Sequence, residues 1–313
     1  MRRDDALHHA STPVRRRRFL AGRPVEYAAN DAPNRASLDE GEIGRVLMAR
    51  GREAPLRPFA RIDKDGLFCT FRGGGTVIEV RLPESIHQAH GKILNGTFSG
   101  RWHFSFDDYV DPNWIKFGQL RVFNDDTLSP GATWPLHPHR HNEVVTYVAA
   151  GEFRHEDDRG RGGVLTQGGV QHTTVGTGLS HAEINNRPDQ PMRFVQMWFL
   201  PERLDLDPSV EQKQVQRPER TNGFLPLASP QLKGALPLRS DASVFSSFLE
   251  TGRAVSHAME RGRGAYVYLL EGGPVRVNGR LLPALAAAEL SEEPALRVAA
   301  DFDAELLMVD TRL

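Results

Sequence analysis

Between residues 120 and 200 the chain consists of short apolar segments that are separated by Gly, Pro, Asn and Asp. The stretch "EVVTYVAAGEFRHEDDRGRGGVLTQGG" reads as strand, turn, strand, turn, strand, and "RFVQMWFL" at 193–200 predicts a further strand. Helical periodicity is nearly absent from this region. Many short strands at regular spacing are typical of β-sandwiches and β-barrels, so we predict an all-β fold of this kind.

An N-terminal extension precedes this region and covers residues 1–75. Its first part, 1–36, is rich in Arg, Asp, Asn and Ala with few large apolar residues, which predicts partial disorder. The following "SLDEGEIGRVLMARG" predicts a short helix, because Ser37 and Glu40 have the spacing of a capping box and Gly51 suits the position just after the end. "GLFCTF" (66–71) predicts a strand near the end of the extension, and "TVIEVRL" (76–82) predicts one directly after it.

The remainder of the chain divides into two β units. We assign residues 76–205 to the first unit, and the polar, Pro-rich residues 206–235 to a linker. Strand patterns return over 236–313, where "VYLLEGGPVRVNG" (267–279) echoes "TYVAAGEFRH" (146–155). This echo predicts two related β units in tandem.

Charge and cysteine content exclude several classes of function. The 313 residues carry 39 basic and 40 acidic side chains, a formal net charge of −1, so the overall charge does not favour binding to nucleic acid. The single cysteine, Cys69, rules out an internal disulfide and fits a reducing compartment. No apolar run reaches the roughly 18 residues of a membrane span. "RRRRFL" is similar to a twin-arginine export motif, but polar "AGRPVEYAANDAP" follows it, so we predict a cytoplasmic protein with a solvated basic tail.

The stretch "WPLHPHRHNEVV", Trp134 to Val145, carries the chemistry of the first unit. His137, His139, His141 and Glu143 follow each other at i, i+2 spacing and would share one face of an extended strand. Pro138 cannot donate to a sheet ladder, so this segment is expected at a strand edge. Imidazoles with a carboxylate bind divalent transition metals, so the stretch predicts a metal site and leaves open which of the four residues are ligands.

The spacing of the glycine, histidine and glutamate residues, and four longer sequence strings, resemble those of a known protein family. Gly131, five residues, His-x-His, three residues, Glu143 and then Gly151 resembles the first cupin motif, with one extra residue before the last glycine. "FSFDDYVDPNWIKFGQLRVFNDD", "HPHRHNEVVTYV", "GGVQHTTVGTGLSHAE" and "QMWFLP" resemble the pirins over about residues 76–203. The resemblance implies two tandem cupin barrels of the jelly-roll type. The second would be degenerate and without metal, since only His257 stands where the first has its histidine pair.

The resemblance implies two alternative ligand sets. The pirin pattern carries over to His137, His139, His181 and Glu183. The broader cupin pattern carries over to His137, His139, Glu143 and His172, with Gln167 in place of the usual proline. We favour the pirin set, because "GTGLSHAE" is the more family-specific string and its His-x-Glu mirrors His-x-His.

Several residues near the site then have other expected roles. Glu143 and His172 would line the cavity or hold a ligand's second N–H group. For His141 we favour a position at the surface or satisfied by a neighbour over cavity lining or metal ligation. We expect a structural role for His155 and aromatic packing for His103. Gly176 and Gly178, just before the second ligand pair, predict a tight turn with positive φ.

The resemblance also implies a function. An Fe(II)-type mononuclear site would support a quercetin 2,3-dioxygenase-like reaction of a small aromatic flavonol, enol or catechol with O2. Glu183 would be both a metal ligand and the catalytic base. Zn, Ni, Mn, Co or Cu suit the same ligands. The alternatives are a non-enzymatic, metal- or redox-dependent regulator that acts through protein partners, and a purely structural metal in a closed site.

Overall fold

The structure is a computed structural model that describes residues 77–313. The predicted disorder in 1–36, the helix that follows it and the strand "GLFCTF" lie outside the described residues. Within them the chain is almost entirely β-structure, which confirms the all-β prediction. The helices here are two short 3-10 turns, Pro83–Ser85 and Arg217–Arg220, and no helix in this part of the chain could cross a membrane.

Twelve strands make up the first half of the described chain. They are β1 (Val77–Arg81), β2 (His87–Ile93), β3 (Gly96–Trp102), β4 (Leu120–Leu128), β5 (Thr133–His139), β6 (Glu143–Ala150), β7 (Glu152–Asp157), β8 (Gly162–Thr166), β9 (Gly169–Thr174), β10 (Leu179–Asn185), β11 (Met192–Phe199) and β12 (Ser209–Gln214).

Ten strands make up the second half. They are β13 (Leu225–Ser229), β14 (Leu236–Pro237), β15 (Ala242–Leu249), β16 (Ala254–Ala258), β17 (Arg263–Gly272), β18 (Val275–Val277), β19 (Arg280–Leu282), β20 (Ala287–Ser291), β21 (Ala295–Ala300) and β22 (Ala304–Arg312).

Each half forms a barrel from one seven-stranded and one four-stranded sheet. The first barrel has the orders β12-β9-β6-β11-β4-β3-β2 and β5-β10-β7-β8. The second has β1-β20-β17-β22-β15-β13-β14 and β16-β21-β18-β19, so the two barrels share one plan. The echoing segments occupy equivalent places, since β6 and β17 hold the same position in their sheets. Tandem jelly-roll barrels are therefore confirmed.

Two strands have pairing partners that the sequence did not indicate. β1 precedes the first barrel in the chain but pairs with β20 of the second barrel, with Val77 opposite Ser291. β12 lies within the stretch assigned to the linker and pairs with β9, with Glu211 opposite His172. Each strand extends the seven-stranded sheet to which it pairs, so the connecting segments also contribute to the barrels.

The largest hydrophobic core lies between the two barrels. It contains Val145 and Tyr147 of β6 together with Val244 and Leu307 of the second barrel. Val144 of β6, by contrast, belongs to a cluster inside the first barrel. Because alternate side chains of a strand point to opposite faces, odd-numbered β6 residues face the second barrel and even-numbered ones face the first barrel's interior. A strand buried on both faces explains the continuous apolar run "VVTYVAA".

Buried tyrosines link the barrels by hydrogen bonds. Tyr147 Oη donates to Glu305 Oε1 over 2.6 Å, and Tyr268 Oη donates to Asp125 Oδ2 over 2.6 Å. All four residues are buried, so each carboxylate has its charge partly satisfied by a group from the other barrel.

His103 also lies at this junction. Its ring packs against Phe123, Tyr266 and Tyr268, with centroid separations of 4.7, 5.8 and 4.8 Å. Its Nδ1 lies 2.6 Å from Tyr266 Oη. The expectation of aromatic packing for this histidine is confirmed.

Candidate metal centre

Two neighbouring strands bring four potential ligands together. β5 and β10 pair antiparallel with His137 directly opposite His181. Strand alternation places His139 on the same face as His137 and Glu183 on the same face as His181. The β5–β10 register shifts between His181 and Glu183, because β5 has one extra residue there. β5 is at the edge of its sheet, as Pro138 predicted.

Three imidazoles converge on one point. His137, His139 and His181 offer ring nitrogen atoms that lie within 4.8 Å of one another. Glu183 Oε1 is 3.5 Å from His181 Nε2, and Glu183 Oε2 is 3.9 Å from His137 Nε2. The Nε2 atoms of His139 and His181 are buried and have no hydrogen-bond partner. Unpartnered buried ring nitrogens beside a carboxylate fit a metal ion as the missing partner.

The protonation states suit metal binding. Burial, with the neighbouring histidines second, lowers the pKa of His139 to about 3, and burial also lowers the pKa of His181. Burial alone would raise the pKa of Glu183, but His181, His137 and a hydrogen bond from Gln196 outweigh it and lower that pKa to about 2. At neutral pH His139 and His181 are therefore neutral imidazoles and Glu183 is an ionised carboxylate, the forms that coordinate a divalent cation.

Comparison with known proteins identifies the family. Residues 85–199 match the Pirin model, and residues 226–311 match the model of the quercetinase C-terminal cupin domain. A pirin-like protein of Caulobacter vibrioides is 37% identical over 222 residues, which are 70% of this chain and 95% of that protein. The chain belongs to the pirin family. The resemblance of its motifs to pirins is thereby confirmed.

Two further relatives bear on the chemistry of this pirin. A quercetin 2,3-dioxygenase of Escherichia coli is 31% identical over 211 residues, which are 67% of this chain and 90% of that protein. The crystal structure of the bacterial pirin YhhW from Escherichia coli in complex with nickel(II) superposes with a TM-score of 0.70 at 27% identity. It covers 75% of this chain and 99% of the YhhW chain.

Two residues of β11 support the centre of this pirin and were not singled out from the sequence. Gln196 Nε2 donates to Glu183 Oε1 over 2.9 Å, and Trp198 Nε1 donates to Gln196 Oε1 over 2.8 Å. The Trp198 ring also meets His139 edge-on, with centroids 4.7 Å apart. Both residues lie in "QMWFLP", so the family string marked the segment but not their contacts. Together they hold the carboxylate and one imidazole in place.

His155 contacts the centre from β7. Its Nε2 lies 2.9 Å from His181 Nδ1, and both residues are buried. Burial, then the neighbouring His181, lowers the pKa of His155 to about 4, so its imidazole is neutral. The sequence predicted only a structural role for His155. Its contact with His181 depends on how β7 pairs with β10, which the sequence does not show.

Glu143 and His172, from the broader cupin pattern, lie elsewhere. Glu143 shares the odd-numbered face of β6 with Val145, and His172 is directly opposite Val145 in β9, so both side chains face the second barrel. They bond to each other, Glu143 Oε2 to His172 Nε2, over 2.7 Å. The backbone N–H of Arg239 donates to the same oxygen over 3.0 Å. The structure therefore places this pair on the opposite side of the sheet from the imidazole triad.

His141 breaks the alternation that the spacing predicted. β5 ends at His139 and β6 begins at Glu143, and between them His141 has φ +58°. Its N–H donates to the Gly176 carbonyl over 2.9 Å, and its Nδ1 is 4.0 Å from Asp205 Oδ1. The expectation that four side chains share one face of a single strand is therefore wrong, because the left-handed residue turns the chain.

The turn before the second ligand pair has the predicted geometry. Gly176 has φ +54° and Gly178 has φ +138°, which confirms the expectation of positive φ at both positions. A Cβ atom on Gly176 would collide with the carbonyl oxygen of Leu206. This turn holds the start of β10 close to the end of β5.

The second barrel lacks the same residues at the equivalent strands. β16 corresponds to β5 and carries His257, whose Nε2 lies 2.6 Å from Asp310 Oδ2. β21 corresponds to β10 and reads "ALRVAA", with no histidine, cysteine or carboxylate. The duplication of the fold is therefore not accompanied by a duplication of the ligand pairs.

Proposed function

We propose that this pirin is a mononuclear metal-dependent dioxygenase that acts on small flavonol-like enol or catechol substrates. The observation that carries the proposal is the convergence of three imidazoles with one ionised carboxylate. The proposed ligands are His137, His139, His181 and Glu183. Four such ligands leave two positions of an octahedral ion open, and Fe(II) is the metal that we favour. The Escherichia coli relative named quercetin 2,3-dioxygenase supports the substrate class.

The side chains around the triad support a reaction rather than a closed structural site. The His137 side chain is 37% exposed, whereas the side chains of His181 and Glu183 are each 3% exposed. One side of the centre is therefore open to a substrate, whereas structural metal sites have all four positions filled by protein.

The protein residues would have distinct roles. A bound metal ion would supply Lewis acidity and redox chemistry towards dioxygen. Glu183 is ionised at neutral pH, as an acceptor of the substrate's enol or catechol proton must be. Gln196 holds Oε1 of Glu183, and this leaves Oε2 as the oxygen for that proton. Trp198, whose ring centroid lies 4.7 Å from that of His139, would provide aromatic surface beside the metal against which a substrate ring can pack.

The test uses protein purified without oxygen and loaded with Fe(II). We expect O2-dependent loss of the flavonol absorbance with the wild type, and none with His139→Ala or Glu183→Gln. The matched control is His172→Gln, a buried histidine on the other face of the sheet, which should retain turnover. Parallel loading with Ni, Mn, Co, Cu and Zn tests the choice of metal.

One result would contradict the proposal. If the iron-loaded wild type holds one metal ion per chain and turns over none of several flavonols and catechols, the centre is not a dioxygenase site of this class. That result would favour the regulatory alternative, in which the metal acts through protein partners.

A further inference from the structure

His155 touches the candidate metal centre without belonging to its ligand set. It is 1% exposed and projects from β7 into the first barrel. In the β7–β10 ladder it lies directly opposite Glu183, and its ring meets the His181 ring at 66° with centroids 5.0 Å apart. The contact between the rings is the 2.9 Å approach of His155 Nε2 to His181 Nδ1.

The proposed metal site decides which nitrogen donates. His181 Nε2 lies at the triad and has no hydrogen-bond partner, so a metal bound there requires this nitrogen to carry a lone pair. The proton of the neutral His181 ring must then be on Nδ1, and Nδ1–H donates to His155 Nε2. His137 shows the same arrangement on the other strand, since its Nδ1 lies 2.8 Å from the Pro135 carbonyl oxygen. Two of the three imidazoles are thus held by an acceptor behind the ring.

We propose that His155 is a positioning residue that holds His181 in the tautomer and orientation required for metal binding. The inference rests on the proposed metal site and assigns the acceptor that this site requires. Acceptors behind ligand histidines fix the ring plane and raise the basicity of the ligating nitrogen. In most such arrangements the acceptor is a carboxylate or a carbonyl oxygen, whereas here it is a second neutral imidazole.

Gly162, the first residue of β8, lies close to the backbone and ring of His155. It has φ +138°, and a Cβ atom there would collide with the His155 carbonyl oxygen and lie 3.0 Å from His155 Nδ1. Gly160, in the turn before β8, also has positive φ, but a Cβ atom there would meet no heavy atom within 4 Å. The two glycines therefore form a matched pair, of which only Gly162 contacts His155.

The first experiment compares His155→Leu, which removes the acceptor, with His155→Gln, whose side-chain oxygen can replace it. Cobalt(II) is titrated into each metal-free variant in competition with a chelator, and its visible absorption reports the ligand geometry. We expect His155→Leu to weaken cobalt binding by roughly 10–100-fold and to change the spectrum, as for other acceptors behind ligand histidines. His155→Gln should recover most of the affinity, and His172→Gln should leave it unchanged.

A second readout does not involve metal. Nitrogen chemical shifts of the His181 ring in the metal-free protein distinguish a single Nδ1–H tautomer from a mixture. We expect the single tautomer in the wild type and in His155→Gln, and a mixture in His155→Leu. A merely space-filling role for His155 would leave this signal unchanged.

The outcomes separate the two proposals. Wild-type cobalt affinity, spectrum and His181 tautomer in folded His155→Leu would overturn the positioning role. If that variant does not fold, Gly162→Ala is measured against Gly160→Ala, and equal cobalt affinity of those two would overturn it. Failure of the wild type to bind cobalt, iron or nickel would instead contradict the metal site itself.

Discussion

Replacing Glu143 by alanine should destabilise this pirin and leave its metal centre intact. Glu143 is fully buried between the barrels, and its Oε2 accepts three hydrogen bonds. The donors are His172 Nε2 at 2.7 Å, the Arg239 N–H at 3.0 Å and Thr174 Oγ1 at 3.2 Å. The cupin motif alone would make the same residue a metal ligand, so the substitution distinguishes the two roles.

The expected loss of stability follows from what remains after truncation. Without the carboxylate, the His172 imidazole, one backbone N–H and one hydroxyl lose their acceptor in a dry interior. Breaking a buried ion pair by removing one partner costs about 3–5 kcal/mol. For a folded region of this size, such a loss lowers the melting temperature by roughly 6–20 °C. Glu143→Gln keeps an acceptor oxygen and loses only the charge, so it should cost about 1.5–3 kcal/mol.

The assay measures stability and metal binding in the same preparations. Unfolding of metal-free wild type, Glu143→Ala and Glu143→Gln is followed by circular dichroism. Cobalt affinity is then measured at a temperature at which each variant is folded. Glu183→Gln is the opposite control, because we expect it to weaken metal binding strongly and to change metal-free stability less than Glu143→Ala.

The reasoning is refuted by one combination of results. If Glu143→Ala unfolds at the wild-type temperature and loses cobalt binding, Glu143 is a ligand and the side-chain arrangement described above is wrong. If it is destabilised and still binds cobalt with wild-type affinity, the two carboxylates have the separate roles assigned here.

Three further predictions address other contacts. Although burial opposes its charge, hydrogen bonds to two carboxylates raise the pKa of His172. The stabilisation is complete below the unfolded pKa of about 6.5 and is lost as pH rises through the folded pKa, so His172→Gln should flatten the decline of the metal-free melting temperature above about pH 6.5. Tyr147→Phe leaves the buried Glu305 carboxylate without its 2.6 Å donor, and denaturant unfolding should show a loss of about 1.5–3 kcal/mol; an unchanged midpoint would contradict the assigned bond. Gly176→Ala should lower the melting temperature clearly more than Gly131→Ala, because both glycines have positive φ but only Gly176 meets a carbonyl oxygen; equal losses would show that the collision is relieved by movement of the turn.

Local periodicity was enough to predict the strands and the first His-x-His pair, whereas the choice of His181 and Glu183 as the second pair came from the resemblance to the pirins. A strand repeats every two residues whatever surrounds it, so His-x-His and His-x-Glu each place two side chains on one face. The same local rule predicted β5 as an edge strand from Pro138 and the positive φ of Gly176 and Gly178. These features depend on neighbouring residues along the chain, which a sequence displays directly.

The periodicity failed where the strand ended. His141 and Glu143 continue the i, i+2 spacing of the first ligand pair, but the left-handed conformation of His141 ends β5 and starts a new strand. Histidine is among the residues that adopt positive φ more often than most others, but so few do so that the residue type alone did not predict the break. Glu143 therefore faces the second barrel, whereas the spacing alone had placed its side chain on the same face as the first ligand pair.

The sequence by itself determined the all-β character, the duplicated barrel plan, the family and the two short motifs that supply the proposed ligands. Only the tertiary structure decided which groups meet across strands. It placed His181 opposite His137, His155 behind His181, and the Glu143–His172 pair between the barrels. The physical reason is that strand alternation is fixed by the local backbone, whereas partners across a sheet depend on register and on strand order, which bring together residues far apart in the chain.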